Sequence, residues 1–298
     1  MSSGWFFLAA MVMAYGVGNL LQSSAAARTT AHHTFDPGLL VRLAGQRTYL
    51  LGFGLQVLGS VFALFARRDL PLFLVQASVA AGLGVTAILG VLVLKWSLPA
   101  AEVALLALLL AGVTGLVLSA KPAHARPMGA SGLIMLTVAA VVIPALGFFA
   151  ARLRGSLGSV VLGSLAGVGF SGASIAARPL ASEHTVSGFV TDPLFYLMIV
   201  HSLLAQLLLG LAMQRGSTTA AVAAMDAAAA IPAAIVGLLL LGDGIQPGRG
   251  WLAVLGFVIT LASVIGLTRY AEPQHHHATA QPHAGRPKRN SRLHPAGR

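Results

Sequence analysis

Nine continuous apolar runs dominate this chain and constrain its fold more than any other feature. They are Trp5–Leu21, Tyr49–Phe65, Leu72–Leu94, Pro99–Leu118, Leu133–Ala151, Leu157–Ala177, Phe195–Met213, Thr219–Leu241 and Trp251–Leu267. A straight helix needs about 20 apolar residues to cross the hydrocarbon core, and tilt, ragged ends or local thinning accommodate the shorter runs. Lipid offers no hydrogen bonds, so a spanning segment must satisfy its backbone internally, as a helix or within a closed barrel. These runs lack the strict alternation of barrel strands. The expected fold class is therefore all-α, a polytopic membrane protein of about nine transmembrane helices. With 56% hydrophobic and 9% charged residues in a 298-residue chain, too much apolar surface exists for water to be the solvent. Cysteine is absent, which excludes disulfides and thiolate-ligated metals.

The basic residues fall mostly in short loops and in a tail. Five of the nineteen Lys and Arg follow Gly285, so the net charge of +11 reads as loop and tail charge rather than a nucleic-acid footprint. Nine crossings put the termini on opposite sides. The bias of Lys and Arg, most of it contributed by the tail, predicts an external N-terminus and a cytosolic C-terminus in the plasma (inner) membrane. The first apolar run is followed by SSAAAR, small residues of the kind a signal peptidase accepts, but no Lys or Arg precedes it, so it is expected to stay as a helix. The longest connection inside the bundle, Gln22–Gln46, carries Arg28, His32, His33, Asp36 and Arg42. From Glu272 the chain turns low in complexity and rich in His, which predicts a solvated, disordered tail over 272–298.

The chain also repeats itself. Tyr15-Gly16-Val17-Gly18, followed by Ser24-Ala25-Ala26-Ala27-Arg28, parallels Ala166-Gly167-Val168-Gly169, followed by Ser174-Ile175-Ala176-Ala177-Arg178. Arg67-Arg68 and the run Leu72–Leu94 likewise parallel Gln214-Arg215 and Thr219–Leu241. Segments one to four then match six to nine, which divides the chain into a first repeat over 1–120, a linking helix within 121–156 and a second repeat over 157–271. Starting points five crossings apart lie on opposite faces of the bilayer, so the copies are inverted, an arrangement typical of secondary transporters with a midplane site between the copies.

In layout the chain resembles the drug/metabolite transporter superfamily, EamA-like group, and within it the nine-helix NIPA-like magnesium transporter branch. The likeness is carried by AYGVGN near the start and by a helix pair in each half. These are LPLFLVQASVAAGLGVTAILGVLVLKWSLP and STTAAVAAMDAAAAIPAAIVGLLLLGD, each leading to a small-residue-rich helix that ends LLAGVTGLVL or VITLASVIGL. The family often closes the pair with an acid in a Leu-Gly-Glu context. Asp243 fits that place in the second half, whereas Lys95-Trp96 stands there in the first. The resemblance implies a solute or cation carrier built from two inverted four-helix repeats.

The residue most in need of an explanation is Asp226. It lies within an Ala-rich run, six residues before Pro232. An acid at a helix centre in the membrane costs roughly 2.5–3.5 kcal/mol on insertion scales, so it faces a cavity or a partner. Pro232 removes a backbone donor and leaves a carbonyl free for a ligand or water. Tyr15, Asn19 and Gln22 share one helical face and offer hydroxyl, amide and carbonyl groups. In segment seven Ser202 and Gln206 share another face, with His201 about 100° round the helix; beside Asp226, His201 would form a proton relay. Asp226, Asn19, Tyr15, Gln22, His201, Gln206 and Pro232 are thus the candidate substrate- or ion-binding residues. Gln76 reads as a helix contact, and Glu102 and Asp192 as interfacial. For Mg2+ this set is thin, since that ion wants oxygen ligands and keeps several waters.

No enzyme constellation and no cofactor motif is present: P-loop, HExxH and GxSxG are all missing. Gly16 and Gly18 sit within an apolar run, not after a strand. Transport would therefore be passive or gradient-driven. The expected partners are the lipid bilayer and a small-molecule or cation substrate, with no nucleic acid; a homodimer remains open. Two classes compete, a secondary transporter and a non-transporting membrane scaffold or assembly factor that keeps the fold. Transport predicts a polar cavity between the repeats that includes Asp226, and a scaffold predicts polar side chains paired off with no cavity.

Overall fold

The structure, a computed structural model, describes residues 3–27, 46–95, 98–153, 155–183, 185–215 and 218–279. Eleven helices account for nearly all of it: α1 Ser3–Ala27, α2 Arg47–Asp69, α3 Leu72–Val79, α4 Ala81–Leu94, α5 Ala100–Ser119, α6 Ala130–Ala150, α7 Gly155–Leu180, α8 Val186–Thr191, α9 Pro193–Arg215, α10 Thr218–Leu239 and α11 Gly250–Thr279. Two short strands, β1 Ala120–Lys121 and β2 Gly244–Ile245, pair antiparallel with Ala120 opposite Ile245.

Eight helical stretches are long and apolar enough to cross a membrane, with α3 and α4 counting as one span from Leu72 to Leu94. Of α10, the shorter stretch Ala224–Leu239 meets the apolar criterion among the described residues. The chain is thus a multi-pass helical membrane protein, with eight spans by length and composition where nine were expected. The third run is not one straight helix. It turns at Ala80, whose N–H reaches back to Ala77 and Ser78, and α4 starts afresh from there. At the other end of the chain, α11 continues to Thr279, past the compositional boundary at Glu272 that predicted a disordered tail. Extending a formed helix adds one hydrogen bond for each residue ordered, so it is far easier than starting one. Arg28, His32, His33, Asp36, Arg42 and residues 280–298 lie outside the described residues.

The most buried span is α7, and α6, α9 and α10 pack on it. In the first half α1 packs on α2 and α4, and α5 lies against α11 across the bundle. Glycine sets these approaches. A Cβ at Gly16 would meet Val85 of α4 at 2.5 Å, and one at Gly18 would meet the Gly52 carbonyl of α2 at 3.0 Å. In α7 a Cβ at Gly167 would run into the Met225 carbonyl of α10, and one at Gly169 would meet Ala205 of α9 at 3.0 Å. In both Gly-Val-Gly motifs, then, the two glycines bring two different helices to backbone distance. This is how small residues promote packing in lipid, where no hydrophobic force draws helices together.

Helix ends from both halves gather at one end of the bundle, tied by backbone and side-chain hydrogen bonds. Asp69 at the end of α2 accepts from the Ser3 hydroxyl and the Gly4 N–H, both at 3.0 Å, where its charge also suits the positive end of α1. The Asp69 carbonyl accepts from Ala123 N at 3.0 Å, Leu241 O from Arg126 N at 2.9 Å, and Ser119 O from Gln246 N at 2.8 Å. Since α1 and α11 both begin at this end, the described chain leaves the bundle from the opposite one.

Gly167→Val is expected to overpack the α7–α10 contact and cost about 1–3 kcal/mol. Gly54→Ala, with nothing within 4 Å of the new methyl, serves as the near-neutral control. Thermal unfolding in detergent, followed by loss of the monodisperse chromatographic peak, reads the difference. Equal midpoints for the two variants would refute close packing at Gly167.

Candidate functional site: a cavity between the two halves

The tied end owes its rigidity to a charge buried among the helix ends. Arg178, in the last turn of α7, has no solvent exposure, and neither does the Asp243 side chain. Its Nε and Nη2 donate to Asp243 Oδ1 at 3.2 and 2.9 Å, its Nη2 also to the Ala123 carbonyl at 2.8 Å, and its Nη1 to the Arg67 carbonyl. The second carboxylate oxygen of Asp243 accepts from Leu72 N, the first amide of α3, at 2.5 Å. All three guanidinium nitrogens are therefore engaged, and both carboxylate oxygens. Gly237 makes room for the carboxylate, which stands where a Cβ would go.

Beyond this plug lies a cavity of about 940 Å³. Helices of both halves line it: α1 to α4 from the first, and α7, α9, α10 and α11 from the second. Its walls are mainly apolar, with polar side chains at three depths. At 1.5 Å per residue from the helix ends at the plug, Gln76 and Ser174 sit about 6–9 Å in. Tyr15, Ser60, Ser202 and Thr260 sit about 13–18 Å in, and Asn19, Gln56, Gln206 and Asp226 about 20–24 Å in. All of these residues, together with Arg67, line the cavity.

Some of these groups are paired. The Tyr15 and Ser60 hydroxyls lie 3.1 Å apart, and Gln56 Nε2 donates to Asn19 Oδ1 at 2.5 Å, so α1 and α2 are bound by polar as well as apolar contacts. Ser174 donates to Gln76 Oε1 at 3.1 Å, linking the halves, so Gln76 is both a helix contact and part of the wall. Asp226 differs. Half-buried on α10, it has no hydrogen-bond or ion-pair partner among the described residues, and its nearest sequence neighbours on the wall are Met225, Ala229 and Ala230.

Four of the seven candidates, Asp226, Asn19, Tyr15 and Gln206, meet on this wall. Three do not. Gln22 lies one turn beyond Asn19 and packs its side chain over Gly52 of α2. His201 is fully buried on the far side of α9. Its Nε2 donates to the Leu136 carbonyl of α6 at 3.0 Å while its ring covers Gly172. A carbonyl can only accept, so Nε2 carries the proton, and no relay to Asp226 forms. Pro232 is accommodated within α10 and stands off the lining, although Ala229 and Ala230 belong to it. Asp192 accepts from Leu194 N at 2.8 Å at the start of α9, a local capping role. Among the described residues no group of three or more His, Asp or Glu is placed to hold a metal ion.

Sequence reasoning missed Arg67 as a wall residue and Arg178 as the plug. Both fall just outside the apolar runs, so the sequence alone groups them with the loop charges. A signal was present, since Arg178 follows an apolar run without any Gly or Pro between, so it still belongs to the helix. In comparisons of sequence and of fold, no family model, curated protein or solved structure matches this chain.

Arg178→Gln leaves Asp243 buried with its charge unmatched, a change expected to destabilise by about 3–5 kcal/mol. A detergent-solubilised thermal melt should show the loss, with the exposed Arg249→Gln as a reference nearer wild type. An unchanged melting temperature for Arg178→Gln would show that the pair does not hold this end together.

Proposed function

We propose that this chain is a secondary transporter of the drug/metabolite type, moving a small solute or cation across the plasma membrane by alternating access. One observation carries the reading. A cavity of ligand size, about 940 Å³, lies between the halves, and the Asp226 carboxyl group on its wall has no partner among the described residues. Pockets of roughly 300–1,000 Å³ suit small-molecule ligands. A pure scaffold has no use for Asp226 in that position, because an acid held in apolar surroundings without a partner only subtracts from stability.

The inverted repeat gains support from the packing. Gly16 and Gly18 meet α4 and α2, while Gly167 and Gly169 meet α10 and α9, so each motif serves the corresponding pair of helices. The matching helices α5 and α11 lie against each other. On this reading α10 is the eighth of nine crossings, and the termini lie on opposite sides. With Arg67 and Arg178 inside the bundle, the loops at the plugged end keep Arg68, Lys121, Arg126 and Arg249 as their basic residues. That strengthens the charge bias towards an external N-terminus. The plug then faces outward, and the cavity belongs to an inward-facing state.

The reading is tested by uptake and growth screens of a deletion strain across metals, amino acids, organic acids and drugs. For the solute found, Asp226→Asn keeps shape and most hydrogen bonding but removes the charge. Transport is expected to fall at least about tenfold, the scale of 1.4 kcal/mol, at unchanged expression. Full transport by the Asn variant would leave Asp226 a packing residue. For the orientation, a reporter fused after Tyr270 should read cytosolic and one ahead of Trp5 external; the reverse pattern would turn the plug inward.

A further inference from the structure

Two arginines from different halves lie side by side beneath the cavity, and their states are opposite. Arg178 is saturated, with each nitrogen of its guanidinium donating to Asp243 or to a carbonyl. Arg67 is not. A guanidinium has five N–H donors. Among the described residues, the Arg67 side chain makes one hydrogen bond, from Nη2 to Ser174 Oγ at 3.3 Å, and its buried Nε has no partner. Its neighbour's demand explains the imbalance. Of the carboxylates at this end, Asp243 is fully used by Arg178 and Leu72 N, and Asp69 is turned to the Ser3 hydroxyl and Gly4 N–H at the start of α1. Asp226 lies about 20 Å from the plug by helix rise, on the same wall but in another layer. The floor of the cavity thus carries a cation with unused donors, flanked by Ser174 and Gln76.

We propose that this floor is an anion subsite, and that the cavity takes an amphipathic organic anion, carboxylate or phosphate, head first onto Arg67. The inference rests on the transporter reading for its physiological role, but the binding itself does not need transport. A guanidinium presents paired donors that match the two oxygens of a carboxylate or phosphate, which a spherical cation cannot use. Desolvated at the base of an apolar cavity, such a pair is far stronger than at a surface. The Gln76 amide NH2 adds donors beside it, held in place by the Ser174 hydroxyl, which donates to Gln76 Oε1. Above the floor, Ala77, Leu83, Phe170, Ala173 and Phe257 line the walls and suit an apolar body. Asp226, in the third layer, then stands near the distal end of the occupant. There it favours a neutral or cationic end and disfavours a second anionic one. A bare divalent cation at the floor is excluded by the Arg67 charge.

The test is binding to the purified full-length protein in a neutral maltoside detergent, read as thermal stabilisation and by calorimetric titration. The probes are 4-phenylbutyrate, phenyl phosphate and 4-phenylbutylamine, alike in bulk and different in head group. Wild type is expected to bind at least one of the two anions at least about tenfold more tightly than the amine, the tighter anion identifying the head. Arg67→Gln should lose that preference, and Arg67→Lys should retain part of it, as a point charge without the fork. Asp226→Asn should leave it intact. If Arg67→Gln fails to fold, Arg67→Lys carries the test: a reduced anion preference is expected, and an undiminished one would overturn the proposal. Binding of the amine as tightly as the anions, no binding of either anion at millimolar concentration, or an undiminished preference in a folded Arg67→Gln protein would each overturn the proposal. Anion binding without uptake of any anion would retain the subsite and refute the transporter reading. Asp226-dependent uptake of a solute that is indifferent to Arg67→Gln would do the opposite.

Discussion

A guanidinium buried where helices enter a membrane is among the most demanding groups a fold can hold, and here the bundle is built around one. Arg178 has no exposure, so the several kcal/mol lost in taking it out of water must be offset by Asp243 and by carbonyls pointed at it from α2 and from the connection ahead of α6. Those partners are far apart in sequence. Satisfying them draws together the end of α2, the start of α3, the end of α7, the turn after α10 and the β1–β2 ribbon. Once they are in place, this end of the bundle is closed, and the cavity has a floor.

The rest of the bundle depends on how closely helices can approach. Lipid chains are as apolar as Leu, so helix association in the membrane relies on packing quality and hydrogen bonds. The Gly-Val-Gly motifs of α1 and α7 bring backbones to distances that a single methyl would forbid. Around α7, Ala221, Ala205 and Ala229 keep the contact faces thin, and that helix is the most buried of the spans. The cavity is the complement of this packing. Where α1, α2, α9 and α10 turn polar or bulky side chains inward instead of small ones, the halves stand apart.

Polar groups inside the bundle sort into those that join helices and those that do not. Tyr15 with Ser60, Asn19 with Gln56, and Ser174 with Gln76 each join two elements and are largely satisfied by doing so. Arg67 and Asp226 stand apart, one at the floor and one about 20 Å up by helix rise, with donors and acceptors unspent. A guanidinium and a carboxyl group kept in separate layers of one apolar cavity make its two ends chemically different.

Much of this was legible in residues alone. The apolar runs determined the helical membrane class, because a backbone in lipid has so few ways to satisfy itself. The paired Gly-Val-Gly motifs located two points of close helix approach, and the isolated acid among alanines marked Asp226 as a wall residue. Helical periodicity placed Tyr15, Asn19 and Gln206 on inward faces, but could not stop Gln22 a turn further on from leaving the cavity. What only the tertiary structure decided was pairing. His201 and Arg67 look alike from sequence, each a titratable group at or near an apolar run. Yet one is turned to a carbonyl of α6 and the other to the cavity floor, because a helix neighbour, not the local sequence, decides which face is inside. Likewise Arg178 and Asp243 find each other across 65 positions of sequence, and no spacing rule reaches that far. Sequence set which groups could not remain alone in lipid, and the fold chose which of them received a partner.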